Sequence, residues 1–168
     1  PELDGVSVTP TRPGPQLFNY RNHARMTVRD HGYLGFSNRI TRRFVRVDDC
    51  MLMAPGINHA LGALQGRCQE TTQLSIRHGV NTGEQLIQPT LHSVEIPLAS
   101  GQTHYREELL GRPFRVSSPS FFQVNTKQAE RMARLVGERL ELTGTETLVD
   151  AYAGVGTFAV LLAPMARR

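Results

Sequence analysis

The segment with the clearest chemical pattern is LVDAYAGVGTF, residues 148–158. An apolar run leads into Asp150, and Gly154 and Gly156 then precede a second apolar run. Glycines let a backbone come close to a ligand, and the free N–H groups at the start of a helix can bind the ligand's polar end. We therefore predict a strand, a ligand-binding glycine loop and the start of a helix.

Two classes of cofactor are compatible with this loop. The spacing Gly154-x-Gly156-x-x-Ala159 satisfies the fingerprint of dinucleotide-binding folds, which is a weak signal on its own. Asp150 favours S-adenosylmethionine, because an acid at this point can reach the methionine portion of that cofactor but would repel a pyrophosphate. An amphipathic helix before the strand also favours S-adenosylmethionine, since a dinucleotide fold usually opens with its strand. A tight strand-to-helix turn that binds no ligand is the third interpretation.

A second unusual pattern is SSPSFFQVN, residues 117–125, which combines two adjacent aromatic residues with two side-chain amides. Phe121 and Phe122 could both belong to the hydrophobic core, with Asn125 at the start of a helix. They could equally belong to a binding site, and the pattern alone leaves both interpretations open.

Basic residues are concentrated near the N-terminus. Residues 11–47 contain eight arginines against a single acid, Asp30, whereas Lys127 is the only lysine of the whole chain. A general preference for arginine would explain the choice of Arg over Lys but not this clustering. Guanidinium groups make planar, two-pronged contacts with phosphates and stack on rings, so the cluster suits a phosphate-bearing partner.

The predicted first strand places three of these arginines on one face. From Tyr20 onwards the residues alternate, which makes one face mainly apolar and the other cationic. The core face carries Asn22, Ala24, Met26 and Val28, and the opposite face carries Arg21, His23, Arg25, Thr27 and Arg29.

Composition narrows the class of protein. The chain of 168 residues is 39% hydrophobic and 20% charged, which is sufficient for one domain or two small ones with a real core. No apolar run approaches the ~20 residues that cross a bilayer, and the N-terminus lacks the features of a signal peptide, so we expect a cytoplasmic protein without a membrane partner. Cys50 and Cys68 are too few for a disulfide framework or, without other ligands, for a zinc site.

The rest of the chain predicts short strands and helices. Proline-rich residues 1–19 should form an extended lead-in, and residues 55–66 a short helix that stops at Gly66. Strands are expected in YLGFSNR, RRFVRV, TTQLSIRHG, EQLIQPT, LHSVEIPL and THYREELL, the last four as an antiparallel meander.

A longer amphipathic helix is predicted from Asn125, which can cap it with Gln128 in the reciprocal position. Its apolar stripe would be Ala129, Met132, Ala133, Val136 and Leu140, with Lys127, Glu130, Arg131, Arg134 and Glu138 outside. The apolar strand expected after this helix needs neighbours on both sides, so we expect the chain to be part of a longer protein.

These segments together resemble one known family. FNYRNHARM, LGF, RVDDCMLM, INHALGALQG, SPSFFQVN and LVDAYAGVGTFAVLLA occur in this order, at about these spacings, in the RNA uracil-5-methyltransferases. The resemblance extends from about Phe18 to the C-terminus, and its most specific pair is FFQVN with the D-x-x-x-G-x-G that follows. It implies an α+β fold with an antiparallel β-rich, RNA-binding central domain (residues 1–118). The first helix, strand and glycine loop of a class I, Rossmann-like methyltransferase domain would follow (residues 119–168).

The same resemblance implies S-adenosyl-L-methionine as cofactor and C5 of a uridine in tRNA or ribosomal RNA as target. Phe121 would stack on a uracil swung out of its RNA helix, whereas Phe122 would be core. The RNA-binding residues would be Arg21, Arg25, Arg29 and Phe121, and the cofactor-binding residues would be Gln123, Asp150, Tyr152, Gly154, Gly156 and Thr157.

The chain departs from the family pattern in three places. Thr157 stands where the family often has an asparagine that contacts the cofactor. Cys50 matches the fourth ligand of the iron–sulfur cluster that many members hold, but the three upstream cysteines are absent, so Cys50 is a conditional ligand and we assign no metal site. The family's nucleophilic cysteine and proton-abstracting glutamate lie downstream of the glycine loop and are not in this sequence. We therefore expect this chain alone to be inactive, and a noncatalytic RNA-binding module is the alternative function.

Overall fold

The computed structural model describes residues 5–167, so residues 1–4 of the predicted lead-in and Arg168 lie outside the described part. Residues 6–19 contain no helix or strand. Strands and helices begin after them, in the order β1 (His23–Arg29), β2 (Tyr33–Ser37), β3 (Phe44–Arg46), α1 (Pro55–Leu64), β4 (Gln73–His78), β5 (Gln85–Gln88), β6 (His104–Leu109), β7 (Arg112–Ser117), α2 (Thr126–Leu140) and α3 (Thr157–Leu162). A 3-10 turn, Ala163–Met165, follows α3 directly.

The first five strands form one antiparallel sheet in the order β3-β2-β1-β4-β5. β1 is central, since its Val28 lies opposite Leu34 of β2 and its Ala24 lies opposite Ile76 of β4. Ala24, Met26 and Val28 are all buried, which confirms the predicted core face of this strand.

α1 connects β3 to β4 and packs against the buried face of this sheet. Pro55 occupies its first turn, where the missing N–H removes no helix hydrogen bond, and Gly66 follows its end with φ +76°. The four residues at helical spacing are fully buried, as predicted: Ile57, Ala60, Leu61 and Leu64.

β6 and β7 form a separate two-stranded hairpin instead of the end of the predicted meander. Residues 89–103, which include the predicted LHSVEIPL strand, contain no strand. Their backbone N–H groups bond to side chains, since Glu70 accepts from His92 and the Ser100 hydroxyl accepts from Leu91. The strand prediction was wrong here because side-chain acceptors take the place of a neighbouring strand.

The hairpin and the segment after it share a second hydrophobic core. Phe114 of β7 lies against Phe122, with ring centroids 5.9 Å apart, and Val155 and Leu161 pack against the same cluster. Its buried members are Leu86, Tyr105, Leu109, Phe114, Val116 and Phe122. This core joins the hairpin to the glycine loop and to α3, and the domain division at residue 118 stays a prediction.

α2 begins as predicted, with the Asn125 side chain accepting a 3.0 Å hydrogen bond from the N–H of Gln128. The reciprocal bond is absent among the described residues, because the buried Oε1 of Gln128 has no partner there. The predicted apolar stripe is confirmed at Ala129 and Ala133, which are buried, but it is wrong at Met132 and Leu140, which are exposed. The buried residues of the helix are Thr126, Ala129, Glu130, Ala133 and Gly137.

Two features explain this different buried face of α2. Glu130 is tolerated there because its Oε1 accepts hydrogen bonds from Asn81 Nδ2 and from the N–H of Leu110, both at 3.2 Å. Gly137 lets the C-terminal segment come close, since a Cβ there would lie 3.2 Å from both Leu162 and Met165. The helix therefore packs through small and hydrogen-bonded residues instead of its larger apolar ones.

Residues 141–156, between α2 and α3, contain no strand, so the strand predicted in LVDAY is absent from the described part of the chain. Val149 is 79% exposed, and no strand described in either sheet pairs with this segment. An extended segment becomes a parallel strand only when neighbours satisfy its backbone groups. The helix predicted after the glycine loop is present as α3. Within residues 5–167, no helix has the length and apolar character needed to span a membrane.

Candidate functional site

Arg21 precedes β1, and Arg25 and Arg29 lie on it, but the structure brings only Arg21 and Arg25 to one cavity. Arg21 and Arg25 line a cavity of about 330 Å³ together with His23. Arg29 lies at the far end of β1, where its Nη1 donates to the carbonyl of Val28 at 3.3 Å. The cationic surface next to the sheet is therefore centred on Arg21 and Arg25.

His23 lies among these arginines without adding a charge. Burial, together with the neighbouring charges of Arg77, Arg21 and Arg25, lowers the pKa of His23 to about 4. The neutral ring is placed by a 3.0 Å hydrogen bond between its Nε2 and the hydroxyl of Ser75. The positive charge of this surface is therefore carried by guanidinium groups at neutral pH.

The two adjacent phenylalanines have opposite environments. Phe122 is buried in the second core, as predicted, whereas Phe121 is 73% exposed. The loop before them is fixed from the sheet, because Nη2 of the buried Arg77 donates a 2.8 Å hydrogen bond to the carbonyl of Ser120. An exposed aromatic ring on an anchored segment can stack on a planar group such as a nucleobase.

Gln123 lies two residues further on and is half-buried. Its backbone carbonyl accepts a 2.9 Å hydrogen bond from Asn22 Nδ2, which fixes the position of its main chain. Its side-chain amide makes no hydrogen bond to the residues that the structure describes. The amide therefore has hydrogen-bonding capacity left for a ligand.

A buried polar network, which our sequence analysis did not predict, is joined to this segment through the side chain of Asn22. Glu107 of β6 is fully buried, and its carboxylate accepts hydrogen bonds from the N–H groups of Val80 and Asn81 at 2.8 and 3.0 Å. The Thr126 hydroxyl donates to Glu107 at 3.0 Å and accepts from Asn22 Nδ2 at 2.9 Å. The network therefore joins β1, the turn after β4, β6 and the first residue of α2.

Two signals in the sequence could have indicated this network. Asn22 is a polar residue on the predicted core face of β1, and it is only 1% exposed. Glu107 alternates with Tyr105 and Leu109, which places it on the buried face of β6. A polar residue at a core position requires a hydrogen-bonding partner.

The glycine loop adopts backbone conformations that favour glycine. Gly154 and Gly156 have φ of +57° and +78°. Oδ2 of Asp150 accepts a 3.3 Å hydrogen bond from the N–H of Ala159 in the first turn of α3, so this oxygen already has a partner within the fold. Tyr152 is 98% exposed, so its ring is not packed against the described residues.

Thr157 and Gly154 differ in how accessible they are. Thr157 is buried at the first position of α3, whereas a Cβ at Gly154 would meet no atom within 4 Å. The structure therefore leaves open space beside the loop at Gly154. Val155 links the loop to the core that contains Phe122, which places the loop and the Phe121 segment in the same part of the fold.

The two cysteines differ in position, since Cys50 lines the cavity of Arg21 and Arg25, whereas Cys68 is buried in the first hydrophobic core. Cys50 is half-buried, and its backbone N–H and C=O bond to the side chain of Asn58 at 3.2 and 3.1 Å. Within residues 5–167, no group of three or more His, Cys, Asp or Glu side chains could hold a metal ion. Burial raises the pKa of Cys68 to about 11, so this thiol is protonated at neutral pH.

Sequence comparison finds similar proteins across the length of this chain. An uncharacterised RNA methyltransferase of Thermosynechococcus vestitus is 29% identical over 96% of this chain and 47% of its own length. One from Lactiplantibacillus plantarum is 23% identical over 99% of this chain and 48% of its own length. The chain is similar to RNA methyltransferases. It spans about half the length of these curated relatives.

A shorter match and a solved structure agree with this similarity. An uncharacterised RNA methyltransferase of Gloeobacter violaceus is 35% identical over 67% of this chain. The fold is also similar to a crystal structure, that of Pyrococcus abyssi tRNA (uracil-54, C5)-methyltransferase in complex with S-adenosyl-L-homocysteine. The two structures match over 90% of this chain and 48% of the other chain, with a TM-score of 0.71 and 23% sequence identity. The likeness to that structure shows the fold. No protein-family profile matches the chain.

Proposed function

We propose that the protein of which this chain is a part transfers a methyl group from S-adenosylmethionine to C5 of a uridine in structured RNA, either tRNA or ribosomal RNA. Similarity to RNA methyltransferases supports the reaction class, and a neighbour of the same fold acts on uracil C5 of tRNA by its name. The observation that carries the proposal is the 73% exposed ring of Phe121 on a segment anchored by Arg77, two residues before Gln123, whose amide has no hydrogen bond to the described residues.

In this proposal, Phe121 stacks on the target uracil after the base has left its RNA helix. Flipping a base out of a helix costs a few kcal/mol, and stacking on an aromatic ring offsets part of that cost. Gln123 adds a directional amide next to the ring. Arg21 and Arg25 hold the RNA backbone, since guanidinium groups fit phosphate oxygens.

We propose that S-adenosylmethionine lies along the glycine loop. Open space beside Gly154 and the exposed ring of Tyr152 leave one side of the loop accessible. Asp150 keeps this loop in place through its hydrogen bond to the N–H of Ala159. S-adenosylmethionine would supply an electrophilic methyl group at this position. Gln123 and Thr157 are the further cofactor contacts that we propose.

Methylation at C5 replaces a C5–H bond with a C5–CH₃ bond, so a proton must leave C5. A thiolate that adds to uracil C6 makes C5 nucleophilic, and C5 takes the methyl group from the sulfonium, which leaves as S-adenosylhomocysteine. A base then removes the C5 proton while the C6–S bond breaks, which restores the uracil ring and releases the thiolate. Cys68 is unsuited to the first role because it is buried and protonated. We propose that the nucleophile and the base come from a part of the protein outside this chain.

Tritium release tests the proposal. The whole protein is incubated with S-adenosylmethionine and with tRNA or ribosomal RNA transcripts labelled as [5-³H]uridine. We expect one tritium to be released into water for each methyl group that is transferred, with one of the two RNA classes. Methyl transfer without tritium release would place the methyl group elsewhere and would refute the proposal, as would the absence of transfer to both RNAs.

A further inference from the structure

A second cavity, of about 310 Å³, lies between the sheet and the segment that leads to Phe121. Residues of β1 and β4 form its sheet side, and the loop after β7 contributes the opposite side. Its polar lining residues are His23, Arg25, Gln73, Ser75, Arg77 and Ser118. No acidic residue of the described chain lines it, so its charge is that of the two arginines.

Arg77 is the most unusual of these residues, since it is only 6% exposed. No described carboxylate lies within ion-pair distance of its guanidinium. Nη2 donates to the carbonyl of Ser120, but the buried Nε has no hydrogen-bond partner among the described residues. Burying a guanidinium without an anion is costly, and an anion bound in the cavity would offset that cost.

The other polar groups of the cavity are held in place before any ligand binds. Arg25 lies opposite Ser75 in the sheet, and its Nη2 donates a 2.9 Å hydrogen bond to Gln73 Oε1. His23 is fixed by its hydrogen bond to Ser75 and is neutral at pH 7. Because these side chains are ordered already, they lose little conformational entropy when a ligand binds.

We propose that this cavity binds one phosphodiester group of the RNA strand, next to the nucleotide that stacks on Phe121. The inference rests on the proposed function, because the RNA partner of that function is what would bring a phosphodiester to this side of Phe121. A phosphodiester matches the cavity, since guanidinium groups bind its oxygens with charge-assisted hydrogen bonds and hydroxyl groups can add neutral ones. Arg77 then contacts both the phosphate and the carbonyl of Ser120. The bound RNA backbone would thereby be linked to the segment that presents Phe121.

The test measures binding of the purified whole protein to an RNA hairpin with a uridine in its loop, over a series of salt concentrations. The variant is Arg25→Gln, chosen because Arg25 is exposed and its loss spares the core. Loss of one phosphate contact should lower the salt slope by about 0.7 to 0.9 and weaken binding roughly four- to fivefold in 0.15 M salt. Arg25→Lys should keep the slope, because it keeps the charge. Arg112→Gln, which removes an exposed charge from β7, should bind as the native chain does.

A modified RNA locates the phosphate. Hairpins that carry a single neutral methylphosphonate, at one position each, are compared on the native chain and on Arg25→Gln. One position beside the loop uridine should weaken binding to the native chain at least as much as Arg25→Gln does, and should weaken the variant by a smaller factor, because only Arg77 remains there to contact that phosphate. If each methylphosphonate weakens both proteins equally, Arg25 contacts none of these phosphates and the inference is overturned.

Two further outcomes separate this inference from the proposed function. An Arg25→Gln salt slope equal to the native one overturns the phosphate site and the backbone contact proposed for Arg25, whereas intact tritium release by the whole protein leaves the proposed methyl transfer standing. Absence of RNA binding by the whole protein overturns both. Inorganic phosphate should compete with the RNA no better than chloride at equal ionic strength. If inorganic phosphate binds the native chain but not Arg25→Gln, and RNA binds both equally, the cavity takes free phosphate and the inference is wrong.

Discussion

The guanidinium of Arg77 and the carbonyl of Ser120 are joined by a 2.8 Å hydrogen bond, so a buried residue of the central sheet fixes the backbone next to Phe121. The two residues are 43 positions apart in the chain. The exposed ring therefore depends on the sheet for its position, as do the carbonyls of Gln123 and Val124, which accept hydrogen bonds from Asn22. This contact connects the cationic part of the fold to the segment that we propose binds the target base.

Arg77→Lys should loosen that segment without unfolding the protein. Lysine keeps the charge but lacks the planar donor geometry of arginine, so the bond to Ser120 is weakened. The N–H groups of Ser118 and Ser120 are hydrogen-bonded to Thr103 and Ser117, and we expect both to exchange their hydrogens about tenfold faster, equivalent to about 1.4 kcal/mol. Hydrogen exchange followed by NMR measures this.

Arg115→Lys is the matched control for that experiment, since Arg115 is exposed on β7 and its Nη2 contacts only the ring of His104 among the described residues. Exchange at Ser118 and Ser120 should be unchanged in the control. Equal exchange rates in Arg77→Lys and the native chain would mean that the loop holds its own conformation.

Glu107→Gln should destabilise the fold strongly. The carboxylate of Glu107 accepts from three backbone N–H groups and from the hydroxyl of Thr126, and an amide presents an NH₂ group to some of these donors. We expect the free energy of unfolding to fall by about 3 kcal/mol, measured by urea denaturation. Glu108→Gln, at the exposed neighbouring position, should change it by less than about 0.5 kcal/mol. Similar values for the two variants would show that the network contributes little to stability.

The sequence predicted correctly those elements whose structure depends on residues close together in the chain. The alternation in β1, the spacing of Ile57 and Leu61 in α1 and the cap at Asn125 each depend on residues within a few positions of one another. These features are all present in the fold. The exposed Phe121 beside the buried Phe122 also agrees with the expectation, although that expectation came from the family resemblance and not from the pattern.

Burial of charged residues could not be predicted in the same way. Glu130 was expected on the solvent-facing side of α2. It is buried instead, because Asn81 and Leu110, which are distant in sequence, donate hydrogen bonds to its carboxylate. Glu107 likewise depends on N–H groups from the turn after β4. The prediction of a strand before Asp150 was wrong for a related reason. Such a strand forms only beside neighbouring strands, and the described part of the chain does not supply them. In each case the deciding partner is remote in sequence.

Stability should fall when the pH is lowered from 7.5 to 5.0. The pKa of His23 is about 4 in the folded protein, against an ordinary value of 6.5, so the unfolded chain binds a proton in this range and the folded one does not. Its contribution to stability is therefore fully present above pH 6.5 and declines as the pH falls towards 4. Burial also lowers the pKa of His78, which acts in the same direction. Urea midpoints at the two pH values measure the effect.

His23→Gln provides the control for this pH dependence, because glutamine can still bond to Ser75 but does not titrate. The difference between the two midpoints should be smaller in this variant, with the remainder due to His78. An identical pH dependence in the variant and the native chain would mean that His23 is freely protonated in the folded state.

Phe121→Ala and Phe122→Ala should affect different properties, although the residues are adjacent. Phe122 is 4% exposed and packs against Phe114, so its loss leaves a cavity and should cost about 3 to 5 kcal/mol of unfolding free energy. Phe121 makes little contact with the core, so its loss should change that free energy by less than about 0.5 kcal/mol. Denaturant unfolding of the two variants measures this contrast.

Binding of RNA completes the comparison. If Phe121 stacks on the target base, Phe121→Ala should weaken binding of a hairpin with a loop uridine by about 1 to 3 kcal/mol. A second hairpin, in which an abasic site replaces the loop uridine, should bind the variant and the native chain equally. The abasic RNA retains the phosphates, so it isolates the base contact from the arginines. A Phe121→Ala chain that binds both hairpins as the native chain does would show that the exposed ring faces no base, and that its exposure has another cause.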